Sequence, residues 1–213
     1  MDGGENLKKK LLFSTIFAIM ATILIFASPG TTKASMLETE AQGPEVTALQ
    51  QDLIQMGYLH TNATGYYGPA TTRAVQQFQS DFNLIVDGAA GPQTTSRMSE
   101  VTSVAKAVYG EARGESFEGQ IGVAAVILNR LESAEFPNNV NGVIQQQNAF
   151  TAVADGQYSM TPDQTAYEAV KQAWNGYDPS YGSMYYYNPE EVTSDWIWTR
   201  TPNLSIGQHV FAS

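Results

Sequence analysis

The sequence predicts a mainly α protein with a small β element, folded as two modules behind an N-terminal leader. Three observations carry that prediction. Apolar residues recur at helical spacing in four segments. These are Val46, Leu49, Leu53 and Ile54 with Met56; Ala74, Val75, Phe78 and Phe82; Val101, Val104, Ala105, Val108 and Ala112; and Ile121, Ala124, Ala125, Leu128 and Leu131. A turn of the form G-x-x-G-P-x-T-T occurs twice, at residues 65–72 and 88–95. Near the C terminus, Tyr185 with Tyr187 and Trp196 with Trp198 keep the two-residue spacing of strands with one buried face.

The leader comes first. Lys8, Lys9 and Lys10 precede an apolar run from Leu11 to Ala27, and Thr32-Lys33-Ala34 ends the polar stretch that follows. This is a secretory signal peptide pattern over residues 1–34, with the cut after Ala34. The apolar run is about 17 residues, at the lower edge of what spans a bilayer, so an uncleaved N-terminal anchor is the alternative. No other segment is apolar enough to span. Residues 35–43 are polar, acidic and without periodicity, and read as a linker.

The first module, residues 44–99, is small and helical with an internal repeat. In each turn copy, glycines close a loop and proline opens the next helix, where its missing N–H costs nothing. A short linker, about 99–103, leads to the second module at 101–213. There Glu111 falls in the last turn of a helix, just before the Gly114 break. An apolar helix behind the carboxyl and a turn in front of it suit an acid of raised pKa, as general acid catalysis requires near neutral pH. Glu115 lies four residues on, but Gly114 and the capping candidate Ser116 end the helix between the two. Glu115 and Glu118 are expected in the first turn of the next helix, at its positive end.

Composition removes several classes of function. Of 11 Lys+Arg and 21 Asp+Glu, four bases and two acids lie in 1–34, leaving 7 against 19. That balance speaks against nucleic acid, whose phosphates are met by clustered Lys and Arg. With no cysteine there are no disulfides, no Cys-ligated zinc and no thiol nucleophile. The two histidines, His60 and His209, fall in different modules, which disfavours a zinc amidase. A Ser-His-Asp triad would depend on His209, and no serine sits in a recognisable elbow. No metal and no cofactor is expected. The 3 Trp, 11 Tyr and 9 Phe instead supply faces for carbohydrate.

Motifs sharpen this reading. Residues 109–120 read Y-G-E-A-R-G-E-S-F-E-G-Q, followed by V-A-A-V-I-L-N-R at 123–130 and F-P-N at 136–138. Further on stand Phe150-Thr151, Asn175-Gly176-x-Asp178-Pro179, Tyr186-Tyr187-Asn188-Pro189, Ser194-x-Trp196-Ile197 and Ile206-Gly207-x-His209-x-Phe211. In this order they resemble the catalytic domain of spore cortex-lytic enzymes and related cell wall hydrolases, over roughly residues 101–213. The first module has L-Q-x-x-L…G-Y, then A-V-x-x-F-Q…L-x-x-D-G, and is similar to the three-helix peptidoglycan-binding domain of wall enzymes.

The resemblance implies a three-helix peptidoglycan-binding module followed by a lysozyme-like α+β catalytic domain. It also implies a lytic transglycosylase, in which one glutamate, Glu111 by position, acts first as acid and then as base. The 6-hydroxyl of the substrate's own muramic acid then displaces the leaving sugar and forms a 1,6-anhydro end. Residues expected to bind substrate are Glu115, Asn129, Phe150, Thr151, Tyr186, Tyr187, Asn188, Trp196 and His209. Of these His209, taken alone, reads as a structural histidine. Tyr66, Tyr67 and Asp87 are the binding candidates of the first module. The implied partner is peptidoglycan, of spore cortex or vegetative wall, with a regulatory protein partner as a further expectation. The implied location is the cell wall or spore envelope, with no membrane span in the mature form. Two alternatives stand beside this: a muramidase or glucosaminidase that uses water, and a non-catalytic wall-binding regulator.

Overall fold

The computed structural model describes residues 36–192 and 195–213. The expected signal peptide and Ser194 lie outside these residues. The described chain belongs to one compact unit, mainly α with a small sheet, as the sequence predicts. None of its described helices is long and apolar enough to cross a membrane.

Helices α1 (Pro44–Gln55), α2 (Pro69–Asp81) and α3 (Pro92–Ala112) each start with proline after a glycine, Gly43, Gly68 or Gly91. The turn seen twice in the sequence is thus built three times, the first copy keeping little more than Gly43-Pro44. Two buried glutamines hold the later copies. Gln50 Oε1 accepts from the backbone N–H of Thr64 (2.7 Å) and Gly65 (2.9 Å), and Nε2 donates to Thr71 Oγ1 (2.8 Å). Gln79 repeats the pattern one turn on: Oε1 accepts from Gly88 N (2.9 Å), and Nε2 donates to Thr94 Oγ1 (3.0 Å). The first threonine of G-P-x-T-T is therefore an internal pin, and each glutamine satisfies backbone groups that burial would otherwise orphan. Leu53, Val75, Phe78 and Phe82 form the core they enclose. Ile54, expected on the buried stripe, is 39% exposed, because one helical step past Leu53 turns it 100° off that face.

Residues 37–42 are bonded to this module rather than forming a free linker. Ala90 N donates to Leu37 O (2.7 Å) and Tyr67 N to Ala41 O (2.9 Å). Residues 99–103 are likewise no linker. They are the middle of α3, with Val101 and Val104 fully buried. One helix serves both modules.

The C-terminal part of α3 packs with α4 (Phe117–Glu132), α5 (Val140–Ile144), α6 (Thr151–Ala154) and α7 (Gln164–Trp174). Ser116 caps α4 by accepting from Gly119 N, and Glu118 lies in its first turn, while Glu115 stands just ahead of the cap. Strands β1 (Tyr185–Tyr187), β2 (Pro202–Ile206) and β3 (His209–Ala212) form an antiparallel sheet in the order β1-β3-β2. Phe211 of β3 presses on α4 at Gly122, where a Cβ would lie 2.6 Å from its ring. Trp196 and Trp198 sit in a 3-10 turn, Asp195–Thr199, and not in the strand their spacing suggests. A period of two is also met by a short turn whose aromatics are carried by neighbouring rings rather than by a ladder.

At the seam between the modules, the ring of Phe82 meets Trp174 edge-on at 5.7 Å. The Arg97 guanidinium stacks 4.6 Å over Trp174 and donates to Phe82 O (2.8 Å), and Asn175 Nδ2 donates to Asp81 O (3.0 Å).

Candidate active site

Glu111 occupies the last turn of α3, and its Oε1 accepts from the backbone N–H of Ala152 (2.6 Å) at the start of α6. That approach depends on Gly110, where a Cβ would fall 2.5 Å from Ala152 Cβ. Burial raises the carboxyl's pKa above its ordinary value. The Ala152 N–H, the Tyr186 phenol and the Thr151 backbone oppose that rise, while the nearby charge of Asp155 adds to it. The helix C terminus, carrying partial negative charge, also disfavours the ionised form. The direction of this shift is the one a buried carboxyl at a helix end is expected to show.

Tyr186 stands against this carboxyl. Its hydroxyl is buried without a hydrogen bond of normal geometry, yet lies close enough to Glu111 to feel its charge. Burial first, and then Glu111, push the phenol's pKa well above the usual tyrosine value. Its ring neighbours Phe150 (6.3 Å), His209 (5.1 Å) and Phe211 (6.1 Å). Thr151, exposed, completes the rim beside Glu111. Glu111, Phe150, Thr151, Tyr186 and His209 are thus brought together.

Glu115 joins them at one remove. Its Oε2 accepts from Gln208 N (3.1 Å), in the turn between β2 and β3. Gly207 in that turn has φ +59°, and any Cβ there would overlap the Glu115 carboxylate. His209 is 8% exposed, and its Nδ1 has no partner among the described residues. Burial lowers its pKa against the pull of Glu115 and Glu191, which favours the neutral ring.

Other candidates lie elsewhere. Asn129 donates to Asp178 Oδ2 and to Ser183 O (both 3.1 Å), ordering the 178–183 loop rather than lining the space beside Glu111. Asn188 shapes its own turn, its Oδ1 accepting from Glu190 N (3.0 Å). Tyr187 meets Trp198 edge-on at 5.3 Å, and Trp196 does the same with Tyr185 at 5.2 Å. In the first module Tyr67 is fully buried and its hydroxyl donates to Gly88 O (2.7 Å), so it is core and not a binding surface. Asp87 accepts from Gln79 Nε2 (2.8 Å) and Ala89 N (2.9 Å) within its own turn. Tyr66 remains 44% exposed.

One residue was absent from the candidates. Arg130, 5% exposed, donates from Nε to Met184 O (2.7 Å) and packs on the rings of Phe136, Phe150 and Tyr185. Burial lowers its pKa, and the phenols of Tyr186 and Tyr185 oppose that shift. Its position, three residues after Ile127 on the apolar face of α4, is the signal that places a cation in the core behind Tyr186.

Residues 114–212 match the Cell Wall Hydrolase family and residues 42–98 match a peptidoglycan binding domain. The first match opens three residues after Glu111. A spore cortex-lytic enzyme of Bacillus cereus is 38% identical over 221 residues, covering 83% of this chain and 85% of its own. The chain belongs to the spore cortex-lytic enzyme family. Its membership makes it a peptidoglycan-cleaving enzyme. A cortex-lytic enzyme of Bacillus subtilis is 58% identical over 112 residues, covering 53% of this chain and 37% of its own. Among solved structures, the catalytic domain of a germination-specific lytic transglycosylase from Bacillus anthracis is 55% identical. It superposes with a TM-score of 0.52 over 54% of this chain and 93% of its own.

Proposed function

We propose that this enzyme cuts the glycan strand of spore cortex peptidoglycan as a lytic transglycosylase, with Glu111 as the single acid and base. The observation that carries this is the Glu111 carboxyl, buried, raised in pKa and held at Oε1 by the Ala152 N–H. An oxygen that accepts an N–H leaves the proton on its partner, so Oε2 is the donor. In the first step that proton passes to the glycosidic oxygen, and the bond from muramic C1 to that oxygen breaks. The carboxylate then takes the proton of the muramic 6-hydroxyl as O6 closes on C1. No enzyme nucleophile is needed, in keeping with Glu115 being engaged by the Gln208 amide. Residues 1–34 export the chain, and the first module holds it to the wall.

A second reading has one observation in its favour. Asp155 lies near enough to raise the Glu111 pKa, and hydrogen bonds from Gln157 keep its own carboxyl ionised. It is the group that would activate water in a muramidase or glucosaminidase. Mass spectrometry of soluble products from purified cortex and vegetative sacculi separates the two. Anhydro-muropeptides, lost in E111Q with wall binding intact, are the expected result. Reducing ends that disappear in D155N would replace this mechanism with the hydrolytic one, and full activity in E111Q would sink both.

A further inference from the structure

Strand alternation gives β1 two faces. Tyr186 faces inward to Glu111, His209 and Phe211, while Tyr185 and Tyr187 face the other way. On that outer side stand Trp196 and Trp198, edge-on to Tyr185 and Tyr187 and still 50% and 55% exposed. Large aromatics half open to water, each braced by a second ring, offer faces to the C–H side of a sugar. Arg200 lies across this patch. Its guanidinium is 4.4 Å from the Trp196 ring centre and 5.4 Å from that of Tyr185. Among the described residues its Nε is buried without an acceptor, and its guanidinium makes one long hydrogen bond, from Nη2 to Thr199 Oγ1 (3.4 Å). Among the described residues no carboxylate lies within 4.0 Å of it.

We propose that the outer face of β1 is a second glycan subsite, in which Trp196 and Trp198 stack a sugar and Arg200 pairs with a carboxylate carried by a muramic residue. The inference rests on the peptidoglycan reading above and adds to it a specificity element outside the Glu111 site. A guanidinium presents a planar fork that fits a carboxylate with two parallel bonds, and its stacking on Trp196 fixes that fork in advance. Neutral sugars satisfy the rings but not Arg200. The carboxylate comes either from the lactyl ether itself or from the stem peptide attached to it.

The test uses the full chain carrying E111Q and 5-fluorotryptophan, followed by 19F NMR. The three tryptophans give three reporters, with Trp174 at the module seam as the internal control. The probes are chitotetraose, a peptide-free muramic-containing tetrasaccharide and the same tetrasaccharide with stem peptides. The Trp196 and Trp198 signals are expected to shift with the carboxylate-bearing glycans while Trp174 stays still. R200Q should weaken those glycans about tenfold and leave chitotetraose unchanged, with R200K intermediate, as expected for a charge-assisted bond. Loss in R200Q of the peptide-free ligand assigns the lactyl carboxylate, and loss of the peptide-bearing ligand alone assigns the stem. Two results overturn the proposal: no shift at Trp196 or Trp198 with any probe, or an equal R200Q loss for neutral and anionic glycans. The latter makes Arg200 a prop for Trp196. These outcomes are independent of whether E111Q abolishes cleavage, which alone tests the Glu111 reading.

Discussion

Glu111 is a group whose folded pKa stands above its unfolded one, and this has a cost that can be measured. Such a group favours the fold at low pH, and that contribution is lost as pH rises through the folded pKa and the buried carboxyl ionises. E111Q, which cannot ionise, is therefore expected to melt above the wild type at pH 8. The two should converge near pH 4, as thermal unfolding across that range will show. Equal melting temperatures at every pH would mean that burial does not strain this carboxyl. Tyr186 bears on the same equilibrium, since its phenol helps hold the Glu111 pKa down. In Y186F the alkaline limb of the kcat/KM profile should move to higher pH, because an acid that ionises later stays active longer. An unmoved limb would confine Tyr186 to packing. Glu111 was legible in the sequence because a helix end and a motif coincide on it. Arg130 was not, because within N-R a charge reads as a surface residue until the register of Ile127 is followed one turn further.

The segment that matters most to the site is α6, the shortest α-helix among the described residues. It is four residues long, yet it delivers the Ala152 N–H to Glu111, and only because Gly110 lets it approach. G110A forces a methyl against Ala152 Cβ and displaces that N–H. A misplacement of about 1 Å costs roughly 100-fold in rate, so G110A should lose activity on that order while still binding sacculi. Full activity would show that Oε1 needs no N–H. Sequence patterns located the long helices well, since their buried stripes run three or four turns. They failed where a helix makes one turn, as in α6, and where two-residue spacing has two causes, as at Trp196 and Trp198. The G-P turns were legible as repeats, whereas their fastening was not. Gln50 and Gln79 look like surface residues until Thr71 and Thr94 are found in reach.

The two modules were legible as separate compositions, but the join between them was not. Ser99 to Ser103 contains one large apolar residue, so nothing in the text betrays that α3 runs straight through. Its first half lies beside Phe82 and Trp174 and its last turn carries Glu111, so both modules share one core. Thermal unfolding of the whole chain should therefore give a single transition. S99P, in the interior of α3, should cost about 3 kcal/mol and lower that transition. A chain that melts in two steps, or that tolerates S99P without change, would place a joint where the helix is drawn.

A chain with a hinge between grip and blade works like a tethered dog, reaching anything within the circle of its leash. Here α3 makes it a calliper instead. The opening between the peptidoglycan-binding module and the carboxyl proposed to cut the glycan is fixed when the protein folds. Each landing then tests only the linkages lying at that one span, and reaching the next requires the whole body to lift off and settle again.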